Sequence, residues 1–285
     1  MSTSLSKFYK AIGISKQAFH QRMNRRLVEY EYEHQLLHLI YQLREEHPTM
    51  GCRDMYFKLR PEYLGRDLFE QFCKRHGLAS KRIRNFTRTT DSRNVVKFDN
   101  LTKNLVLTGL NQLWVSDITY FEIIGKSYFI TFIMDAYSRR ILGHVASARL
   151  FTEQTTLPAL QQAIATRRGM NIKGLVFHSD GGGQYYDKEF IKLTKELEFQ
   201  NSMCDYAWEN GKAERVNGII KNNYLKHFNL KNFKQLTTEL DRSVRLYNGD
   251  KPHSSLNRLT PIEFENLYLA GGKAFSSSNI TLENN

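Results

Sequence analysis

Between residues 112 and 149 three runs, QLWVSDITYFEI, SYFITFIMDAYS and RILGHVASAR, follow one another with only short turn-like connections at Gly125-Lys126 and Ser138-Arg139. They are rich in β-branched and aromatic residues and read as an antiparallel meander. A sheet begun this way must be covered, and the following 80 or so residues offer the cover. A helix is expected over 153–167, with Leu157, Leu160 and Ile164 on its apolar face. LVFH (175–178) is a short strand without internal polarity, as expected for burial on both faces. DKEFIKLTKELEF is a helix bearing Phe190, Leu193 and Leu197, QNSMC a last strand, and Glu209 to Lys226 a further helix. The order β-β-β-α-β-α-β-α specifies an α/β core, a mixed sheet with helices packed on it.

What precedes the core reads as all-α. Leu5, Phe8, Tyr9 and Ile12 recur at helical spacing, Gly13 can take the left-handed position that ends a helix, and Ser15 can cap the next one. That second helix is expected over Lys16 to Met23. Its outward Lys16, Gln17, His20, Gln21 and Arg22 fit a helix-turn-helix that reads DNA. A longer helix is expected over 29–46 with Leu36, Leu37, Ile40 and Leu43 as its stripe, and shorter ones near Arg53–Leu59 and Leu68–His76. His34 and His38 are spaced i,i+4, but no Glu or Cys completes a zinc motif.

Charge points the same way. The chain carries 41 Lys+Arg against 29 Asp+Glu, a net of +12. Residues 74–97 hold eight basic residues and one acid, Asp91. Such a stretch, with Lys81, Arg82 and Arg84 at its centre, suits a polyanion. No run approaches the ~20 apolar residues of a membrane helix, and MSTSLSKFYK has no apolar signal-peptide region. Cys52, Cys73 and Cys204 are odd in number, scattered and without CxxC spacing, which argues against a disulfide framework or a structural zinc site and for a reducing, cytoplasmic compartment.

Three acids stand where acids are costly. Asp117 lies within the first strand among Trp114, Val115, Ile118 and Tyr120, and a charge there needs a partner. Asp180 follows the strand LVFHS and precedes Gly181-Gly182-Gly183; ligands gather at strand ends in α/β sheets. Glu214 lies on the last core helix and shares a face with Asn217 and Lys221, while Val216, Ile219 and Ile220 are free to pack inward. Three carboxylates converging at one sheet end can hold two hard divalent cations, and two such ions clamp the attacking and leaving oxygens of a phosphoryl transfer. Taken singly, each acid also has an ordinary structural reading as a salt-bridge partner, a cap or a surface residue.

WVSDITY, HSDGGGQY and WENGKAERVNGIIK together resemble the DDE transposase and retroviral integrase superfamily, whose core is ribonuclease-H-like. The pattern is most similar to the OrfB-type transposases of bacterial insertion sequences made from two overlapping reading frames. FYKAIGISKQAF resembles that family's helix-turn-helix, HPTMGCRDMYFKL…FCKRHGL its second helical unit, and LYNGDKPHSSLNRLTPIEF its C-terminal segment. The resemblance implies that Asp117, Asp180 and Glu214 are catalytic, metal-binding acids using two Mg²⁺ ions, with Mn²⁺ as a substitute. It also implies cleavage at element ends, strand transfer by a 3′-OH that first joins those ends, a multimer of at least two chains on DNA, and assistance from or fusion to an upstream reading-frame product. Thirty-three residues lie between Asp180 and Glu214, slightly fewer than the family usually shows, with the shortening ahead of the last core helix.

The expected organisation is a helix-turn-helix region over 1–77, a basic linker over 78–107, a ribonuclease-H-like core over 108–228, a helical extension over 229–267 and a tail over 268–285. Lys212, Arg215 and Lys221 around Glu214 are expected at DNA phosphates. Asn210 can cap or orient the helix that carries Glu214. His178 either touches the scissile strand or fills the strand end. Asp135, Trp114 and Trp208 read as structural. A hydrolytic nuclease of the same fold and a non-enzymatic DNA-binding protein are the competing readings. The long basic helical arm and the intact set of three acids weigh against both.

Overall fold

A computed structural model describes residues 5–80, 98–204 and 210–271. Lys81, Arg82, Arg84 and Trp208 lie outside the described residues. The chain divides into two compact units, one of residues 1–46 and 51–79, the other of 47–50 and 80–285.

The first unit holds α1 (Leu5–Ala11), α2 (Lys16–Glu46), α3 (Cys52–Leu59) and α4 (Arg66–Arg75). Gly13 takes φ +67°, and Ser15 Oγ accepts from the Ala18 N–H at 3.1 Å, so the turn and the cap form where the sequence places them. Tyr9 packs on Phe19 with ring centroids 5.3 Å apart. The two helices expected over 16–23 and 29–46 are one continuous helix. The intervening NRRLV contains neither Gly nor Pro, so nothing interrupts the hydrogen-bond ladder. Leu36, Ile40 and Leu43 of α2 are buried, as are Met55, Phe69, Phe72 and Cys73 of α3 and α4.

The second unit is built on β1 (Leu113–Ile123), β2 (Lys126–Asp135), β3 (Ile141–Ser147), β4 (Val176–Ser179) and β5 (Gln200–Met203), in spatial order β3-β2-β1-β4-β5. β1, β2 and β3 pair antiparallel, and β4 and β5 run parallel to β1. The first hairpin turns on Ile124 and Gly125, both at positive φ (49° and 71°), one residue earlier than the sequence suggests. Two left-handed residues match the twist of the flanking strands.

Side chains alternate across the sheet. Leu113, Val115, Ile130, Phe132, Met134 and Val176 face a core shared with α7 (Gly211–Asn223), α8 (Phe233–Gly249) and α9 (Pro261–Leu269). Trp114, Ile133 and Phe177 face a second core with α5 (Thr156–Thr166) and α6 (Lys188–Glu196). The α5 face differs from the expected one: Thr156, Ala159, Leu160 and Ala163 are buried, while Leu157 and Ile164 are half-buried. Gly143 of β3 explains the rotation. A Cβ there would meet the Ala159 carbonyl oxygen at 2.0 Å, so helix and strand approach through small residues.

The C-terminal helices are pinned to the sheet by polar groups. Asn248 of α8 pairs with both the N–H and the C=O of Ile141, at 2.9 and 2.8 Å. Glu265 of α9 is 1% exposed. It accepts from Ser138 Oγ and Arg140 Nη1, each at 2.6 Å, and from Arg167 through both terminal nitrogens. Arg167 also reaches Asp135 at 3.2 Å, and Asp135 accepts the backbone N–H groups of Asn111, Tyr137 and Ser138. Asp135 is thus a structural acid, as read from the sequence.

Candidate active site

Register alone brings two of the three acids together. Val115 lies opposite His178 in the parallel β1–β4 pair. Two residues further along each strand stand Asp117 and Asp180, so the pairing carried onward sets them side by side. Both keep the parity of Val115 and Val176, which places them on the sheet face that α7 covers. The printed pairing of the strands stops at Val115, so Asp117 sits where β1 outruns β4 and is only half-buried.

α7 lies along β1. Asn210 Nδ2 donates to the Ser116 carbonyl at 2.9 Å, Asn217 Nδ2 to Asp117 Oδ2 at 2.6 Å, and Lys221 Nζ to Thr119 Oγ1 at 2.9 Å. Asn210 makes no side-chain cap bond, so its role is to orient the helix on β1. Val216 and Ile220 are buried beneath, and Ile219 is partly buried. Glu214 is one turn before Asn217 and on the same face, which turns its carboxylate toward the two aspartates.

Asp117 lies within electrostatic reach of the other two carboxylates. Burial pushes the Asp117 carboxyl up to about 8, with Asp180 and Glu214 adding to the rise against hydrogen bonds from Ile118 and Asn217. Burial also raises Asp180, against the Gly182 N–H that reaches its Oδ1 at 3.1 Å, and burial raises Glu214. A Cβ at Gly182 would stand 3.1 Å from that same Oδ1, so a side chain there would crowd Asp180.

Around the acids, Ser116 Oγ donates to the Phe132 carbonyl and meets Tyr185 Oη at 2.8 Å, bracing β1 just before Asp117. His178 is buried with Nδ1 3.0 Å from Ser202 Oγ, which favours filling the strand end. Trp114 is buried edge-on against Phe199. Lys221 lies 4.9 Å over the Tyr120 ring, and burial and Lys226 lower it while Asp117 raises it. Arg215 is exposed. Lys212 points into the protein, where burial and Arg139 push it down to about 7. In the other unit Lys16, Gln17, His20, Gln21 and Arg22 are all exposed on the first turns of α2. Sequence reasoning missed Arg167 and Glu265, because a lone Arg after α5 and a Glu in a C-terminal helix carry no local sign of partners about 100 residues away.

Integrase core domain models match residues 108–207 and 196–261. The chain is 30% identical over 232 residues to the transposase for insertion sequence element IS629 of Shigella sonnei, covering 79% of this chain and 77% of that protein. It is 29% identical over 227 residues to a 31 kDa protein of insertion element IS600 of the same organism, covering 77% of this chain and 82% of the other. Among solved structures, the HTLV-2 integrase catalytic core in complex with magnesium matches with TM-score 0.45 and 20% identity, over 54% of this chain and 95% of that one. With matches spanning both the core and most of the flanking sequence, the chain belongs to the insertion-sequence transposases that carry an integrase core, the DDE-type polynucleotidyl transferases.

Proposed function

We propose that Asp117, Asp180 and Glu214 are the catalytic acids of this transposase and that together they hold two Mg²⁺ ions, for which Mn²⁺ can substitute. The observation that carries this is the convergence of three carboxylates from β1, the end of β4 and α7, with the Asp117 carboxyl raised by burial and then by its two acidic neighbours. Its side-chain hydrogen-bond donor is the neutral Asn217 amide and not a cation, so the carboxylates offer hard oxygen ligands that a divalent cation would bring to full charge, which fits magnesium. When bound, the ions supply charge neutralisation and Lewis acidity for in-line displacement at phosphorus.

The chain's own residues position the reaction. Asn217 fixes the Asp117 carboxylate, the Gly182 N–H fixes that of Asp180, and Asn210 locks α7 to β1 so that Glu214 keeps its place. In cleavage, a water oxygen bonds to phosphorus and the 3′-oxygen leaves with a proton. In joining, that 3′-oxygen attacks a second phosphodiester and the target's own 3′-oxygen leaves. One P–O ester replaces another, so no nucleotide cofactor is required. Lys16, Gln17, His20, Gln21 and Arg22, all exposed, read the element ends, and Lys81, Arg82, Arg84, Lys212, Arg215 and Lys221 are the further DNA-binding cations. Two ends must be held at once, so the working complex contains at least two copies. It acts on DNA in the bacterial cytoplasm, at the nucleoid, with an upstream reading-frame product as a fused or separate partner.

The test is a Mg²⁺-dependent cleavage and joining assay on duplexes carrying the element's own ends. Asp117→Asn, Asp180→Asn and Glu214→Gln should each lower joining by at least about a hundredfold, the scale of losing one transition-state charge stabiliser, while DNA binding persists. Joining at the wild-type rate in any one variant removes that residue from the site.

A further inference from the structure

α2 carries two apolar stripes, and only one is covered. Leu36, Ile40 and Leu43 are buried. Met23, Leu27, Tyr30, His34, Leu37 and Tyr41 form the other, recurring at alternating steps of four and three residues. At about 100° per residue these six fall within roughly 40° of one line along the helix. Met23, Leu27, Tyr30 and Tyr41 are 42%, 54%, 67% and 55% exposed; His34 is exposed beside Tyr30, and Leu37 is half-buried. Residues 20–31 are exposed throughout, so about three turns of α2 gain no packing from the rest of the chain. A helix draws most of its stability from packing an apolar face, which leaves this stripe to a partner from outside.

Steps of four and three are those of a coiled-coil seam, where such a stripe meets another of its kind. The flanking charges decide which partner. In a parallel pair, the residue just before a seam position faces the residue five further along the other helix. Arg26 and Glu31 stand in that relation on opposite flanks of the seam; both are exposed and neither enters an ion pair among the described residues. Two parallel copies of α2 therefore set Arg26 of each against Glu31 of the partner subunit, and Glu33 against the partner's His38. An antiparallel pair stacking the same layers would oppose Glu31 to Glu31 and Glu33 to Glu33. His34 lies within the seam, and a polar residue there fixes register at a cost in stability.

We infer that α2 pairs with α2 of a second copy of the chain as a parallel, two-stranded coiled coil along Met23, Leu27, Tyr30, His34, Leu37 and Tyr41. The seam runs about 27 Å. It begins where the exposed Lys16–Arg22 turns of the same helix end, so parallel pairing brings both copies of those turns to one end of the dimer. The inference deepens the reading that two copies work together, and rests on it only for its role on DNA; the contact itself forms without DNA or metal.

The test is sedimentation equilibrium of the full chain, free of DNA and divalent ions, over a range of protein concentrations. Wild type should dimerise. Leu27→Lys should raise the dimer dissociation constant at least about a hundredfold, because each copy loses a seam leucine and gains a charge there. Val28→Lys, equally exposed one position off the seam, should leave it unchanged. At low salt Arg26→Glu and Glu31→Arg should each weaken the dimer by about tenfold, and the double variant should restore it. Both positions are exposed, so thermal melts of dilute monomer should match wild type. A wild type that stays monomeric to about 100 μM, or whose α2 is covered only by the upstream reading-frame product or by DNA, would overturn the self-pairing. So would a dimer indifferent to Leu27→Lys and to the charge reversals, which would leave the two-copy reading standing on another surface. A dimer that breaks as expected while wild type fails to join DNA ends would count against the transposase chemistry and not against the seam.

Discussion

Asp117 is a single side chain held where its charge is costly. A carboxylate in the middle of a strand is held up to about 8 by burial and by two acidic neighbours, so in the metal-free protein it opposes folding at neutral pH. The sign follows from linkage. The folded state keeps the proton that the unfolded chain has released, so stability falls as pH rises from the unfolded carboxylate range, roughly 4, toward 8. Asp117→Asn should therefore raise the metal-free melting temperature near pH 8 and leave it nearly unchanged near pH 4. It should also abolish most of the stabilisation that Mg²⁺ confers on wild type, since a ligand stabilises only the state that binds it. Thermal melts at the two pH values, with and without Mg²⁺, check this, and a variant that melts lower at pH 8 would show that the carboxylate is a structural partner.

At the scale of elements, α9 is attached by one buried acid. Burial alone would push the Glu265 carboxyl up, but hydrogen bonds and charge from Arg167, with Ser138 and Arg140, hold it below the usual range. Glu265→Gln leaves Arg167 buried with a single acid and should cost about 3–5 kcal/mol, the scale of breaking a buried ion pair. A carboxylate with a depressed folded pKa contributes stability above its unfolded pKa and loses it as pH falls through the folded value. The gap between wild type and Glu265→Gln in urea unfolding should accordingly be full at neutral pH and narrow in acid. Equal midpoints at neutral pH would mean that α9 is held by Pro261 and Phe264 packing alone.

At the scale of the molecule, a net charge of +12 sets the way the chain meets its substrate. Affinity for duplex DNA should fall steeply with salt, because each neutralised phosphate releases counterions. Lys16→Ala combined with Arg22→Ala removes two exposed cations from α2 and should lower the salt slope by up to about two, each phosphate contact contributing about 0.9. A slope equal to wild type would take those residues off the DNA backbone.

The sequence by itself determined the strand and helix order and the turn and cap at Gly13 and Ser15, and it singled out the three acids, because each is written in local periodicity, turn chemistry or a short motif. It misjudged one local boundary and one face that depends on distance. NRRLV carries no breaker, so two expected helices run as one. The α5 face was set by Gly143 on a strand across the contact. Only the tertiary structure decided that the β1–β4 register carries Asp117 to the neighbourhood of Asp180, that Arg167 and Glu265 lock α9 to the sheet, and that Lys212 Nζ is buried. Those pairings join residues far apart in the chain, and their energies come from burial and shared charge, which no local stretch of sequence encodes.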